Sequence, residues 1–335
     1  MIPAHGRRLA INLFVMVSVL VLGAVSSAPP SSASATPHSH QASHSKAGRI
    51  AFSRQLDGGG SQAFTIRPRG NDEQQVAIPL AGEDFGRPVW SHDGTRILFS
   101  NIPYFDSDGN LVGFRPATSD PDGSDFHLLT LPERPVDMYC AAWTPDDRRI
   151  VCGDEVGLFT MRAADGGGAT RLTHNPFGST DVPIGYSPDG RKLAFIRNNA
   201  GDPATEADDT AALLVARSDG SHGRAVTPYG LLLAHELAGG DWSPDGRHLA
   251  SATTDGRLVI VTVRSKRIAT VPLRIEGDYF AVLPSYSPVG THLAFSLFRG
   301  APADIYTART DGSDVRQMTS SGTNELFADW SSTAR

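Results

Sequence analysis

The chain is built from short stretches in which apolar and polar positions alternate, separated by turn-forming residues. In "YSPDGRKLAF" (186–195) an aromatic residue leads into Ser-Pro-Asp-Gly, and an extended segment follows. Leu193 and Phe195 would lie on one face of that segment, with Lys192 and Ala194 on the other. Proline at the second turn position fixes φ, and glycine at the fourth tolerates the exit geometry. The stretch therefore predicts an antiparallel hairpin.

The same string returns along the chain, each time led by a tryptophan or a tyrosine. Copies such as "VWSHDGTRILFS" (89–100) and "DWSPDGRHLASA" (241–252) keep the aromatic, the turn and the alternating flank. The leading aromatics are 53, 43, 56, 44 and 44 residues apart, and they are Trp90, Trp143, Tyr186, Trp242, Tyr286 and Trp330. A strand-turn-strand pattern that repeats every ~40–50 residues is typical of β-propeller blades.

A second, looser string follows in most repeats and supplies two more strands. Its clearest copy is "IYTARTDGSDVRQMT" (305–319), in which Asp-Gly-Ser provides a tight turn. The repeat after Trp242 instead turns at residues 264–266 without Asp-Gly-Ser. Four short strands per repeat are the content of one propeller blade, so the predicted fold class is all-β.

The first and last repeats are incomplete in complementary ways. The segment "GRIAFSR" (48–54) reads as a second strand with no first strand before it, whereas Trp330 leads a first strand with no second strand after it. Pairing the two would close a ring and remove open sheet edges. The sequence therefore predicts, over residues 48–335, a six-bladed β-propeller of four-stranded antiparallel blades, closed by pairing of the C-terminal strand with the first N-terminal strand.

These repeats resemble those of the TolB-like six-bladed β-propeller family, which carries a WD40-like Pro-Asp repeat. The likeness covers residues 48–330 and rests on the aromatic-Ser-Pro-Asp-Gly strings with the Asp-Gly-Ser strings between them. TolB proteins carry an α/β domain before the propeller, and only residues 1–47 precede the first strand here, so we expect a free-standing propeller. Similar propellers accompany prolyl-oligopeptidase-type serine hydrolases, but this sequence has no Gly-x-Ser-x-Gly motif. The resemblance implies the fold and leaves the function open.

Residues 1–35 have the layout of a secretory signal peptide. Two arginines precede an apolar stretch at 13–25, and small residues at 33–35 form a cleavage site. An uncleaved signal that acts as an anchor is the alternative. Residues 36–47 are a polar, His- and Ser-rich linker. We therefore expect a secreted or extracytoplasmic protein with no membrane span after signal cleavage.

The charge balance is acidic. The chain has 30 basic and 36 acidic residues, a formal charge of −6, and removal of residues 1–35 with their two arginines would leave −8. This balance argues against nucleic acid as a partner. Acids recur five to eight residues before the leading aromatics, and they are Glu83, Asp84, Asp137, Asp181, Glu236, Asp278 and Glu325.

Connections of this kind gather around one mouth of a propeller's central channel. We therefore predict a ring of carboxylates there that binds a cation or a basic segment of a partner. The alternative is that these acids cap turns and bond loop backbone. No cofactor is predicted, and a cation such as calcium is unsupported because "DSDGN" (106–110) and "DPDGSD" (120–125) lack the later bidentate glutamate of a calcium loop.

Cys140 and Cys152 are the only cysteines, and they flank the hairpin led by Trp143. Opposed positions on antiparallel strands lie within bridging distance, and secretion permits oxidation, so we predict a disulfide. The alternative is a pair of reduced, buried cysteines. Either way, the role would be structural.

The function that we predict is non-catalytic binding of a protein or an envelope polymer at the channel mouth. The alternative is a carbohydrate-active lyase or hydrolase that uses the acidic central mouth. A tight acid–acid or acid–histidine pair in a deep cleft would favour catalysis, and a broad open acidic rim would favour binding. No catalytic residue is predicted.

Overall fold

The computed structural model describes residues 48–78, 86–105, 111–129, 138–199, 210–234, 237, 239–300 and 302–331. The described chain forms strands that are arranged in six four-stranded antiparallel sheets. The signal peptide and linker predicted over residues 1–47 lie outside the described residues. Within the described part of the chain, no helix is long and apolar enough to span a bilayer.

Each sheet is one blade, and its innermost strand is the one that carries the leading aromatic residue, which in blade 1 is β24. Blade 1 consists of β1 (Ile50–Gln55), β2 (Ser61–Ile66), β3 (Gln74–Gln75) and, from the far end of the sequence, β24 (Glu325–Trp330). Blades 2 and 3 consist of β4 (Pro88–Trp90), β5 (Ile97–Phe105), β6 (Leu111–Ser119), β7 (His127–Leu128), β8 (Tyr139–Trp143), β9 (Arg149–Gly153), β10 (Leu158–Arg162) and β11 (Thr170–Arg171). Blade 4 consists of β12 (Ser179–Tyr186), β13 (Lys192–Asn199), β14 (Thr210–Arg217) and β15 (Arg224–Ala225). Blades 5 and 6 consist of β16 (Gly240–Trp242), β17 (His248–Ala252), β18 (Leu258–Thr262), β19 (Arg267–Thr270), β20 (Phe280–Tyr286), β21 (His292–Phe298), β22 (Ala303–Arg309) and β23 (Arg316–Gln317).

The ring closes between β24 and β1. Ile50 lies opposite Trp330 in an antiparallel register, and the main-chain nitrogen of Ser331 donates to Arg49 O at 2.8 Å. The innermost strands contact one another in the circular order β4, β8, β12, β16, β20, β24 and back to β4. The predicted six-bladed, end-to-end closure is confirmed.

The Ser-Pro-Asp-Gly turns explain why the repeated string forms a hairpin. The Ser187 hydroxyl donates to Asp189 Oδ1 at 2.6 Å and accepts from the main-chain nitrogen of Lys192 at 3.0 Å. Gly190 has a φ of 68°, in the left-handed region that glycine adopts readily. The same side-chain contacts recur in other blades at Ser91, Thr144 and Ser243.

The layer between neighbouring blades is filled by the second strands. Phe52, Phe99, Phe195 and Phe295 are all buried, and each packs against apolar side chains of the preceding blade. Ser251 takes the equivalent place in blade 5 and satisfies its hydroxyl by donating to Gly239 O at 2.8 Å. The alternating apolar positions of the repeat are therefore the inter-blade core.

The two faces of the propeller carry different connections. We call one the loop face: it holds the loops into the first strands, such as 172–178 and 226–234, and the turns between second and third strands, such as 154–157. The opposite turn face holds the Ser-Pro-Asp-Gly and Asp-Gly-Ser turns, such as 187–191 and 310–313. Of the predicted rim acids, the described ones, Asp181, Asp278 and Glu325, lie at the loop-face end of their repeats.

Candidate functional site

Two of the predicted rim acids are strand residues that pair with an arginine of their own blade. Asp181 lies opposite Arg197, whose Nε and Nη2 donate to Asp181 Oδ1 and Oδ2 at 2.7 and 2.8 Å. Glu325 lies opposite Arg54, whose Nε donates to Glu325 Oε1. Asp181 is 3% exposed and Glu325 is fully buried. Both acids therefore tie the first strand of a blade to the second.

The other predicted rim acids do not join them. Asp278 is exposed in the loop before β20. The structure thus places Asp181, Asp278 and Glu325 in blade 4, before blade 6 and in blade 1, and it does not bring these three together. The remaining four lie outside the described residues, and they are Glu83, Asp84, Asp137 and Glu236. A binding ring formed by all seven stays a prediction.

A different pair of acids lines the central channel. Asp241 on β16 and Asp329 on β24 each directly precede the leading tryptophan of a repeat, and we call them the channel acids. The Ser285 hydroxyl lies between them, 3.3 Å from Asp241 Oδ2 and 3.4 Å from Asp329 Oδ1. Asp241 Oδ2 also accepts from the main-chain nitrogen of Tyr286 at 2.7 Å, and Asp329 Oδ2 from that of Trp90 at 2.8 Å.

These contacts link the innermost strands of four consecutive blades. The links run from blade 5 to blade 6 through Asp241, and from blade 1 to blade 2 through Asp329. Between them, the main-chain nitrogen of Trp330 donates to Ser285 Oγ at 3.0 Å and joins blade 1 to blade 6. The residue before the aromatic therefore fastens each of these blades to the next.

The protonation of the channel acids is shifted by their surroundings. Burial, and after it the neighbouring charge of Asp329, raises the pKa of Asp241 to about 7. Burial also raises the pKa of Asp329. Both side chains are half-buried, and the surrounding protein disfavours their charged forms by limiting hydration.

A buried arginine reaches across the same channel. Arg87, next to β4 in blade 2, is 3% exposed. A Cβ placed on Gly239, beside β16 of the opposite blade 5, would lie 3.2 Å from Arg87 Nη1. Arg87 Nε and Nη1 have no hydrogen-bond partner among the residues that the structure describes. Burial raises the pKa of Asp241 and Asp329 more than the positive charge of Arg87 lowers it.

A second acid pair lies between blades 6 and 1. The Asp304 carboxyl group on β22 is close enough to Glu325 for that acid to raise its pKa, and one oxygen of each group is buried without a hydrogen-bond partner among the described residues. Gln317 Nε2 donates to the other oxygen of Asp304, Oδ2, at 2.9 Å. Burial and then the Glu325 charge raise the pKa of Asp304 to about 6. This is an acid–acid pair, but full burial of Glu325 closes it to a substrate.

Three exposed apolar side chains lie on loop-face connections of blades 3 and 4. Val156 lies in the turn between β9 and β10, Phe177 in the loop before β12, and Tyr229 in the loop after β15, and all three are exposed. Phe177 is the most exposed of these side chains. On the turn face, Val289 is exposed in the turn between β20 and β21.

The chain is similar in sequence to known proteins over part of its length. No family model matches the chain. It is 28% identical over 158 residues to the uncharacterized peptidase YuxL of Bacillus subtilis, across 46% of this chain, and 31% identical over 90 residues to the Tol-Pal system protein TolB of Anaeromyxobacter dehalogenans, across 27% of this chain. The aligned segments span only 20% of the length of each of these relatives.

Solved structures extend the likeness over most of the chain. TolB from Acinetobacter baumannii superposes with a TM-score of 0.61 at 15% identity, covering 85% of this chain and 67% of that one. A putative TolB from Agrobacterium tumefaciens gives 0.57 at 16% identity, covering 85% and 98%. The chain has the same six-bladed β-propeller fold as these TolB structures. A chain from a nidogen/laminin complex also superposes, with a TM-score of 0.61 at 10% identity, covering 86% and 100%. Identities this low establish the fold alone.

The cysteines of this TolB-like propeller lie opposite each other in blade 3. Cys140 and Cys152 are paired in the antiparallel register of β8 and β9, and a disulfide joins them. Both are fully buried. The bridge ties the innermost strand of the blade to its neighbour and has a structural role.

Residues 120–125, which resemble a calcium loop only in part, form a turn that their own side chains stabilise. Asp122 Oδ1 accepts from the main-chain nitrogen of Ser124 at 2.9 Å, and Asp125 Oδ2 accepts from Arg96 Nη1 at 2.7 Å. These carboxylates cap a turn and pair with a neighbouring strand. Across the part of the TolB-like propeller that the structure describes, no group of three or more His, Cys, Asp or Glu side chains is placed to hold a metal ion.

Sequence reasoning missed the channel acids and Arg87. Asp241 and Asp329 had a usable signal, since each occupies the position directly before a repeat's tryptophan. Asp304 had no such signal, because its contact with Glu325 joins two blades. The meeting of Arg87 with Gly239 depends on the closed TolB-like ring, which brings opposite blades to one channel.

Proposed function

We propose that this TolB-like propeller is a non-catalytic, extracytoplasmic scaffold that binds a protein partner on its loop face. The observation that carries the proposal is the exposure of Val156, Phe177 and Tyr229 on that face. Exposed apolar side chains that cluster on one surface are typical of interaction sites, and aromatic residues often dominate binding energy. Loops held by a rigid scaffold are well suited to this role.

Contacts around blade 4 support one continuous surface. The main-chain nitrogen of Asn175 donates to Val156 O at 2.7 Å, which joins the loop of Phe177 to the turn of Val156. Tyr229 lies within electrostatic range of Arg197, the partner of Asp181. The Asp181–Arg197 pair would thus lie near Tyr229 on this surface.

The partner class follows from these side chains. Aromatic and aliphatic anchors favour a protein over a hydrated envelope polymer, which would present few apolar groups. A similar propeller fold occurs in the crystal structure of a nidogen/laminin complex. The acidic balance of the chain would favour a partner with a basic rim around its apolar anchor.

An extracytoplasmic location is supported by two independent features. Residues 1–35 have the pattern of a secretory signal. The Cys140–Cys152 disulfide is of a kind that persists in oxidising compartments and is rare in the cytosol.

The test is a capture experiment with matched variants. The tagged full chain, a Phe177→Ala/Tyr229→Ala variant and a Val289→Ala variant would be incubated with the envelope fraction of the producing cell. We expect a protein that wild type and Val289→Ala retain and the loop-face variant loses. Calorimetry with that purified protein should then show at least about tenfold weaker binding by the loop-face variant. Equal retention by all three, or retention of polysaccharide only, would overturn the proposal.

The enzyme alternative has one observation in its favour. A lyase or hydrolase needs acids that a substrate can reach, and the channel acids combine partial exposure with raised pKa values. Cleavage of envelope oligosaccharides by wild type, abolished in Asp241→Asn, would support this alternative. Absence of cleavage by wild type would count against it.

A further inference from the structure

The closing strand β24 carries two acids, and each faces an acid from another blade. Glu325, at the start of the strand, neighbours Asp304 of blade 6, and each of the two has a buried carboxyl oxygen with no hydrogen-bond partner among the described residues. Asp329, near its end, shares the Ser285 hydroxyl with Asp241 of blade 5. Both acid pairs therefore lie around the strand that completes the ring.

The Asp304–Glu325 contact needs a proton. Asp304 Oδ1 and Glu325 Oε2 are buried and have no hydrogen-bond partner among the described residues. The remaining oxygens of the two groups are occupied by Gln317 and Arg54. Two ionised carboxylates offer acceptors only, whereas one protonated carboxyl group can donate to the other. A shared proton would satisfy both buried oxygens at once.

The channel acids are held in a similar way. The Ser285 hydroxyl has a single proton and lies within reach of both Asp241 and Asp329, so it donates to one of them at a time. Two enclosed carboxylates in one site resist joint ionisation. A proton retained within this pair would relieve their repulsion beside β24.

We propose that β24 is a proton-dependent latch, in which protons held by the Asp304–Glu325 and Asp241–Asp329 pairs keep the closing strand in place and their loss loosens it. Opposing charges moderate this effect. Arg54, which also pairs with Glu73, faces Glu325. Arg87 and His92 act on Asp329 in the channel.

The direction with pH follows from the raised pKa values of Asp304 and Asp241, which are about 6 and about 7. An acid with a raised pKa in the folded state adds stability that is complete below its unfolded value. That stability is lost as pH rises through the folded value. The latch should therefore be strongest below about pH 4 and loosen progressively until pH has passed the folded values of about 6 and about 7.

Amide hydrogen exchange can test the latch where it acts. The amide of Gln55 donates to Asn324 O at 2.8 Å, and that of Ser331 donates to Arg49 O at 2.8 Å, so both report on the β1–β24 junction. After correction for intrinsic rates, we expect their protection in wild type to fall roughly tenfold between about pH 5 and about pH 8. The amide of Val226 in blade 4, which donates to Leu213 O, serves as the internal reference.

Isosteric variants separate the latch from general pH effects. Asp304→Asn and Asp241→Asn place an amide donor where the proton would be, so each should reduce the fall, and the double variant should abolish it. Asp181→Asn is the matched control, because Asp181 occupies in blade 4 the position that Glu325 occupies in blade 1 but pairs with an arginine only. This variant should leave the pH-dependent fall in amide protection unchanged. An infrared difference spectrum between wild type and Asp304→Asn at about pH 5 should contain the band of a protonated carboxyl group.

Two results would overturn the latch. One is equal protection of the Gln55 and Ser331 amides at both pH values in wild type. The other is the same fall in the double variant as in wild type. Absence of the protonated-carboxyl band would show that Asp304 and Glu325 do not share a proton.

Discussion

The main-chain nitrogen of Trp330 donates a hydrogen bond to the hydroxyl of Ser285 at 3.0 Å. The closing strand is therefore fastened to blade 6 by this contact, in addition to its ladder with β1. The same hydroxyl separates the channel acids, so one serine supports both the closure of the ring and the polar lining of the channel.

Replacement of this serine should destabilise the ring. Ser285→Ala leaves the Trp330 amide without its partner and removes the hydroxyl between Asp241 and Asp329. A buried donor left unpaired costs about 1–3 kcal/mol, and we expect a loss of this size in the free energy of unfolding measured with urea. Ser321→Ala, on an exposed loop, should cause no measurable loss. Equal stability of the two variants would contradict the structural role of Ser285.

The arginine pair of blade 4 should matter more than a surface pair. Asp181→Asn leaves Arg197 largely buried without its counter-charge, and we expect a loss of about 3 kcal/mol in the free energy of unfolding. Asp165→Asn removes a pair with Arg162 in which both side chains are more than half exposed, so its effect should be close to nothing. Urea unfolding of both variants makes the comparison, and a larger effect at Asp165 would be inconsistent with it.

The disulfide of blade 3 should stabilise the folded state. It closes a loop with a sequence separation of 12, and the loop-entropy model gives about 3 kcal/mol for a loop of this size. Reductant should therefore lower the unfolding midpoint of wild type and leave a Cys140→Ala/Cys152→Ala variant unchanged. Two free thiols in denatured, unreduced wild-type protein would show that the bridge does not form.

Another carboxylate should respond to pH in the direction opposite to the latch. Arg171 Nη1 and Nη2 donate to Asp154 Oδ1 and Oδ2, both at 2.7 Å. Burial favours a higher pKa for Asp154, but the hydrogen bonds from Arg171 and from main-chain amides outweigh it, and the net pKa is lowered. Its stabilising contribution is therefore present above about pH 4 and is lost as pH falls through the lowered value.

Asp154→Asn measures this contribution. The difference in unfolding free energy between wild type and the variant should be larger at about pH 6 than at about pH 3. Asp304→Asn provides the control of opposite sign, because the free energy of unfolding of wild type should fall relative to that of the variant as pH rises. If the difference in unfolding free energy between wild type and Asp154→Asn is the same at both pH values, the pKa of Asp154 is not lowered in the folded state.

The fold was predictable because its signals are local and repeated. The turn around Ser187 fixes a hairpin through contacts within six residues, and the same chemistry recurs in blade after blade. Closure was predictable because the unpaired strands around Phe52 and Trp330 complement each other. The number of strands in the first and last repeats was enough to predict how the ring closes.

The site was less accessible because its contacts depend on register and on the ring. Asp181 and Glu325 were expected as open rim acids, but their partners Arg197 and Arg54 lie on the neighbouring strand, and only the pairing register brings them together. Asp304 and Arg87 depend on blades that meet in space. A repeat pattern specifies each blade, whereas these side chains are specified by differences between the repeats.

The two-ended origin of blade 1 has a consequence for biosynthesis. Its strand β1 pairs with β24, and 269 positions separate Gln55 from Asn324, whose main-chain groups bond to each other. During synthesis or export, β1 must wait for nearly all of the remaining chain before its inner edge is covered. A nascent or half-translocated chain therefore presents an unpaired strand edge that could join another molecule. The ring therefore closes only once β24 is available to cover the inner edge of β1.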